Sequence, residues 1–105
     1  MRSRGAFYAL YASRVTEREY GWTEAGKASA ERHRVSEREA IEALFSTQRI
    51  ENHVGTLLLA VAGLAGSARV IVVLCERMGG VDSYAILAVR PATPEEVKQW
   101  MEGTR

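Results

Sequence analysis

A single cysteine, Cys75, excludes an internal disulfide framework, and its place in an apolar run reads as a small buried core residue in a reducing compartment. Only two prolines interrupt the chain, and with 47% hydrophobic residues in 105 there is apolar material for one modest core, so disorder is not expected. No charge of one sign dominates: 14 Lys and Arg stand against 13 Asp and Glu, a net charge of +1. Whole-molecule electrostatics therefore argues neither for nor against a polyanionic partner, and local clustering has to carry that question. No apolar run makes a good spanning helix of ~20 residues, because the uncharged stretch 54–68 reaches that length only by taking in Arg69. A buried hairpin accounts for it better, and no membrane association is expected. Arg14 follows a short apolar segment at 6–12 with a charged run beyond it, which is not a signal-peptide pattern, and a cytoplasmic protein is expected. There is no repeat, no His/Cys/Glu spacing for a metal, no glycine-rich phosphate loop and no serine in an elbow context, so neither metal nor cofactor is expected.

What the chain does have is concentrated in segment 22–45. Thr23 is placed to cap a first helix running to about His33, with Glu24 at its positive end and Gly26 weakening it. Ser36-Glu37-Arg38-Glu39 is a capping box, with Val35 and Ala40 placed for a hydrophobic staple, so a second helix starts there and the chain breaks at Arg34 and Val35. Ala40, Ile41, Leu44 and Phe45 then form one apolar face. Between the two helices lie Arg32, His33 and Arg34, a basic cluster at a helix end.

Residues 1–20 read as an N-terminal extension or edge strand, the aromatic-rich run 6–12 being compatible with an edge strand or a short helix, with 19–22 as a short strand. Residues 46–55 read as a polar connector. The apolar runs 56–62 and 70–75, rich in β-branched residues and separated by turn composition at 63–67, predict a buried hairpin. A turn at Met78-Gly79-Gly80 leads to a third strand over 81–90, where a period of two puts Tyr84, Ile86, Ala88 and Arg90 on one face. Pro91 ends it, and Thr93-Pro94-Glu95-Glu96 starts a last helix with Val97, Trp100 and Met101 on one side. The expected class is α+β in a single domain: two N-terminal helices and a short C-terminal one on one face of a three-stranded, or four-stranded, antiparallel sheet.

Trp22, Lys27, Arg32-His33, Val35-Ser36, Glu39-Ala40 and Phe45 resemble the Trp-Asp…Lys…Lys-His-Gly-Val-Ser…Glu-Ala…Phe hallmark of BrnT-type toxins. Arg90-Pro91-Ala92-Thr93…Glu96 is similar to their Ser-Ala-Arg-x-Ala-Thr-x-x-Glu ending, and the resemblance spans a toxin-like core at 21–102. It implies a RelE-like fold, endoribonuclease activity and a ribbon-helix-helix antitoxin as partner, through which oligomers would form. Thr23 stands where the family usually has Asp, Arg32 where it has Lys, Arg34 where it has Gly, and Leu64 where many members carry an arginine.

Metal-free RNA cleavage uses the 2′-hydroxyl as internal nucleophile, so the protein must supply a proton acceptor, a proton donor and fixed positive charge. His33 is the candidate acid/base, with Arg32, Arg77 and Arg90 as catalytic cations in bidentate reach of phosphate oxygens. Lys27, Arg34 and Arg69 are candidate substrate-binding residues. The plain alternatives are that His33 only meets the helix dipole, that the arginines are solvated surface, and that Trp22, Phe45 and Trp100 are core. A second functional reading is a catalytically weakened module that keeps the toxin fold and binds an antitoxin or another protein.

Overall fold

The computed structural model describes residues 18–79 and 82–104. The apolar segment 6–12, and Gly80 and Val81 of the expected turn, lie outside the described residues. In chain order the elements are β1 (Glu19–Trp22), α1 (Glu24–Arg32), α2 (Glu37–Leu44), β2 (Arg49–Val54), β3 (Leu57–Gly63), β4 (Val70–Arg77), β5 (Ser83–Pro91) and α3 (Pro94–Gly103). The class is α+β. The sheet, however, is five-stranded and mixed, in the order β1-β5-β4-β3-β2, which corrects the expected three or four antiparallel strands.

Two strands make the difference. β2 occupies most of the segment read as a polar connector; Arg49, Glu51 and His53 alternate along it with Ile50, Asn52 and Val54, so this edge strand carries charge where an apolar period would have marked it. Its pairing is set by a two-residue turn: Val54 lies opposite Leu57, and Gly55 adopts φ +62, a conformation glycine takes at little cost. β1, which precedes the two helices, runs parallel to β5 and pairs Glu19 through Trp22 with Ser83 through Ile86. A four-residue edge strand whose partner comes near the other end of the chain leaves no local pairing signal.

The alternation expected in β5 also needs correcting. A bulge makes Leu74 oppose Ala88 but Cys75 oppose Ile86, so Leu87 is an extra residue and the inward set becomes Tyr84, Ile86 and Val89. These pack with Leu58, Ala60 and Ala62 of β3 and Ile71, Val73 and Cys75 of β4. Over this inner face lie α1 and α2, contributing Ala30, Val35, Ala40, Ala43 and Leu44. Cys75 is buried, and desolvation pushes its thiol up to about 12, so it stays protonated and inert.

The third helix is not with the other two. Gly63 follows inward-facing Ala62, and a Cβ on it would meet the Trp100 ring at 2.6 Å, so α3 lies on the outer face, where Gly103 also abuts Ile50. Trp100 donates its Nε1 hydrogen to the Gln48 carbonyl at 2.7 Å. The expected one-sided arrangement fails because β2 and β3 present Ile50, Val61 and Gly63 outward as an apolar seat for this helix.

Three contacts place α1. Thr23 caps it through the Gly26 N–H and donates to the Ile86 carbonyl at 2.6 Å. Gly26 lies against that same carbonyl so closely that no Cβ fits. Among the described residues the edge of β5 has no strand partner beyond Ile86, and Ser29 takes that place, donating to the Val89 carbonyl at 2.9 Å and accepting from the Val89 N–H at 3.0 Å. Among the described residues no helix is long and apolar enough to cross a membrane.

Candidate functional site

The end of α1 explains the shape of the basic cluster. His33 is the C-cap, Arg34 follows in the left-handed region at φ +57, the Arg34 N–H bonds the Glu31 carbonyl at 3.2 Å and the Val35 N–H bonds the Ala30 carbonyl at 2.9 Å. That pair of bonds is a Schellman motif, sealed by the burial of Val35 and Ala30. Glycine is the usual occupant of its left-handed position; an arginine there costs roughly 1–2 kcal/mol.

One residue later the Ser36 capping box opens α2: the Ser36 hydroxyl accepts from the Glu39 N–H at 3.0 Å, and the Glu39 carboxylate accepts from the Ser36 N–H at 2.9 Å. The same carboxylate receives Arg69 Nη1 at 3.2 Å, and Arg69 also reaches the Arg34 carbonyl at 3.4 Å. The Ser36 backbone bond, with Arg69 beside it, holds the Glu39 carboxyl below its ordinary range. Arg69 comes from the β3–β4 loop, so helix end, helix start and loop converge on one turn. Arg69 is brought onto the backbone of Arg34, with His33 and Arg32 preceding Arg34 in the chain. Among the described residues, Arg32 and Arg34 enter no ion pair, so their charges face solvent.

The other candidates lie apart. Lys27 lines a shallow groove shared with Glu24, Glu31 and Glu37, a surface that does not favour phosphate. Arg77 is at the opposite end of β4 from Arg69, roughly 26 Å away at ~3.3 Å per residue. Arg90 is at the same end of the sheet as Arg69, but opposite Val72 and on the outer face, where Glu96 of α3 holds it with two bonds of 2.7 and 2.8 Å. Arg90 draws the Glu96 carboxyl down to about 2. Leu64, where the toxin pattern has an arginine, is buried in the core cluster.

The densest ionic cluster among the described residues is one the sequence pattern did not announce. Glu51 of β2 receives Arg18 at 2.7 Å and Arg49 at 2.6 Å, with His53 Nε2 at 3.3 Å. Arg18 also packs over the Tyr84 ring, Tyr84 stacks on Tyr20, and Tyr20 meets Phe45 edge-on. Burial pushes the Glu51 carboxyl up, but the two arginine hydrogen bonds outweigh it and hold it at about 2. Arg18 thus ties the start of β1, at one edge of the sheet, to β2 at the other. The signal was the spacing of Arg49, Glu51 and His53 at every second position, the mark of a strand with one ionic face.

A groove of about 590 Å³ opens between the end of α2, the 46–48 connection, the β3–β4 loop and α3, with Phe45, Leu64, Arg69 and Trp100 in its walls. Among the described residues no group of three or more His, Cys, Asp and Glu is gathered. No protein-family model matches this chain, and no curated protein matches it either.

Proposed function

We propose that the chain is a toxin-like, metal-independent endoribonuclease of the BrnT and RelE-like kind, acting on RNA at the turn formed by His33, Arg34 and Arg69. The observation that carries this reading is the backbone of Arg34. A position suited to glycine is given to a cation despite the strain, and the charge stands beside the one histidine of the helix end. His33 would take the 2′-hydroxyl proton or deliver one to the leaving oxygen, while Arg32, Arg34 and Arg69 hold the phosphorane oxygens. Arg69 is already oriented by Glu39, so little freedom is lost when it turns to phosphate.

The test is cleavage of single-stranded RNA by purified protein with EDTA present. Activity is expected in the wild type and a 10²- to 10⁴-fold lower rate in His33→Ala at unchanged thermal stability. RNA left intact by the wild type, or His33→Ala cutting at the wild-type rate, ends the enzymatic reading.

A second reading is favoured by Leu64 and by the engagement of Arg69 and Arg90 with carboxylates. On it, the chain is a toxin-fold module that binds a ribbon-helix-helix antitoxin without cutting RNA. Co-purification with such a protein encoded beside it, in the absence of nuclease activity, selects this alternative.

A further inference from the structure

The groove beside the basic turn has the lining of a base-binding site. Phe45 and Trp100 supply aromatic surface, Leu64 an apolar wall, and Ser46, Thr47 and Gln48 polar atoms at the rim. Glu42 is the one carboxylate in it, and it is engaged by the Ala65 N–H at 3.2 Å. Arg69 belongs to both places: it lines the groove and bonds the Arg34 carbonyl of the turn. Glu42, on the groove, and Glu39, on the turn, are three residues apart on α2, roughly 4.5 Å along its axis.

From this adjacency we infer that the groove is the seat of one unstacked base of a single-stranded RNA whose phosphate lies at the Arg34–Arg69 turn. The occupant follows from charge and shape together. An apolar peptide segment would gain nothing from Arg69 in the groove wall or from Arg34, whose carbonyl Arg69 reaches and which, like Arg32, enters no ion pair among the described residues, whereas a nucleotide needs an aromatic wall and a cation beside it. The inference rests on the phosphate-binding reading of the turn and adds to it a site that holds the base.

The probe is a short, fluorophore-labelled 2′-O-methyl RNA, which lacks the attacking hydroxyl and so reports binding alone, compared with the same strand carrying abasic positions. Trp22→Phe protein leaves Trp100 as the single tryptophan, and Ala65→Leu/Ala68→Leu fills the groove from exposed positions outside the core. Expected are saturable quenching of Trp100 by the intact strand, roughly tenfold weaker binding of the abasic strand, and loss of both differences in the filled variant. Equal affinity for the two strands without quenching overturns the base site and leaves the phosphate reading standing. Quenching that survives groove filling also overturns the base site. No binding of either strand at low salt overturns the phosphate reading and the base site with it. A Trp100 signal that depends on protein concentration without RNA, and is lost in the filled variant, gives the groove to a second copy and overturns the inference.

Discussion

Two arginine-rich regions of this molecule are built from the same side chains and do opposite things. At the Arg18–Glu51–Arg49 clasp, one carboxylate draws in two guanidinium groups and an imidazole, and the charges are consumed in holding the edges of the sheet together. At the His33–Arg34 turn, one carboxylate, Glu39, is shared between a helix cap and Arg69, while Arg32 and Arg34 are left without acids among the described residues. The number of basic residues in a stretch therefore says little about function. What separates the two regions is whether carboxylates match the cations and whether the backbone is strained to present them.

The comparison can be broken most forcefully at the clasp. Glu51→Ala leaves Arg18 and Arg49 half-buried without their partner and should lower unfolding stability by about 2–3 kcal/mol, with RNA binding per folded molecule unchanged. Denaturant titration alongside RNA anisotropy checks both halves; a large loss of RNA affinity would make the clasp part of the site. Acid provides a second view. The Glu51 and Glu96 carboxyls lie at about 2 against an ordinary value of 4.5, so they contribute stability that is full above about 4.5 and is lost as pH falls toward 2. The acid limb of a pH-dependent melting series should be shallower in Glu51→Ala than in wild type.

Ser29→Ala should cost about 2 kcal/mol, because it strands the buried Val89 N–H and carbonyl where β1 no longer covers β5. Since Ser29 seats the helix that carries His33, the same variant should also depress RNA cleavage. A variant as active as wild type per folded molecule would show that the turn keeps its geometry without this anchor.

The smallest and most pointed change is Arg34→Gly. Relief of left-handed strain, offset in part by glycine's greater freedom in the unfolded chain, should raise stability by about 0.5 kcal/mol while RNA affinity falls. A gain in stability with undiminished affinity would reduce Arg34 to surface charge.

Much of this geometry was legible locally. Ser36 with Glu39 and Thr93 with Glu96 form the capping boxes their spacing announces, and the break after Arg34 follows from the first of them. Stretches set by distant partners were not legible. β2 escaped because its inner face is ionic and meaningful only once Arg18 arrives, and the bulge at Leu87 belongs to the pairing of two strands, invisible in either alone. The left-handed turn was hidden because its usual glycine is an arginine. Of the candidate site residues, those close to the helix junction came together, whereas Arg77 and Arg90 depended on which end and which face of a strand they would occupy.

The parallel pairing of β1 with β5 carries a consequence for how the chain acquires its structure. β2 to β5 are successive antiparallel neighbours that can zip as they emerge from the ribosome, but β1, made first, has no partner until residues 83–86 exist. Its four backbone pairings and the Arg18 tether are therefore late additions. In native-state hydrogen exchange the amides of residues 19–22 should open well below the global limit set by β3 and β4, as a separate unit of local unfolding.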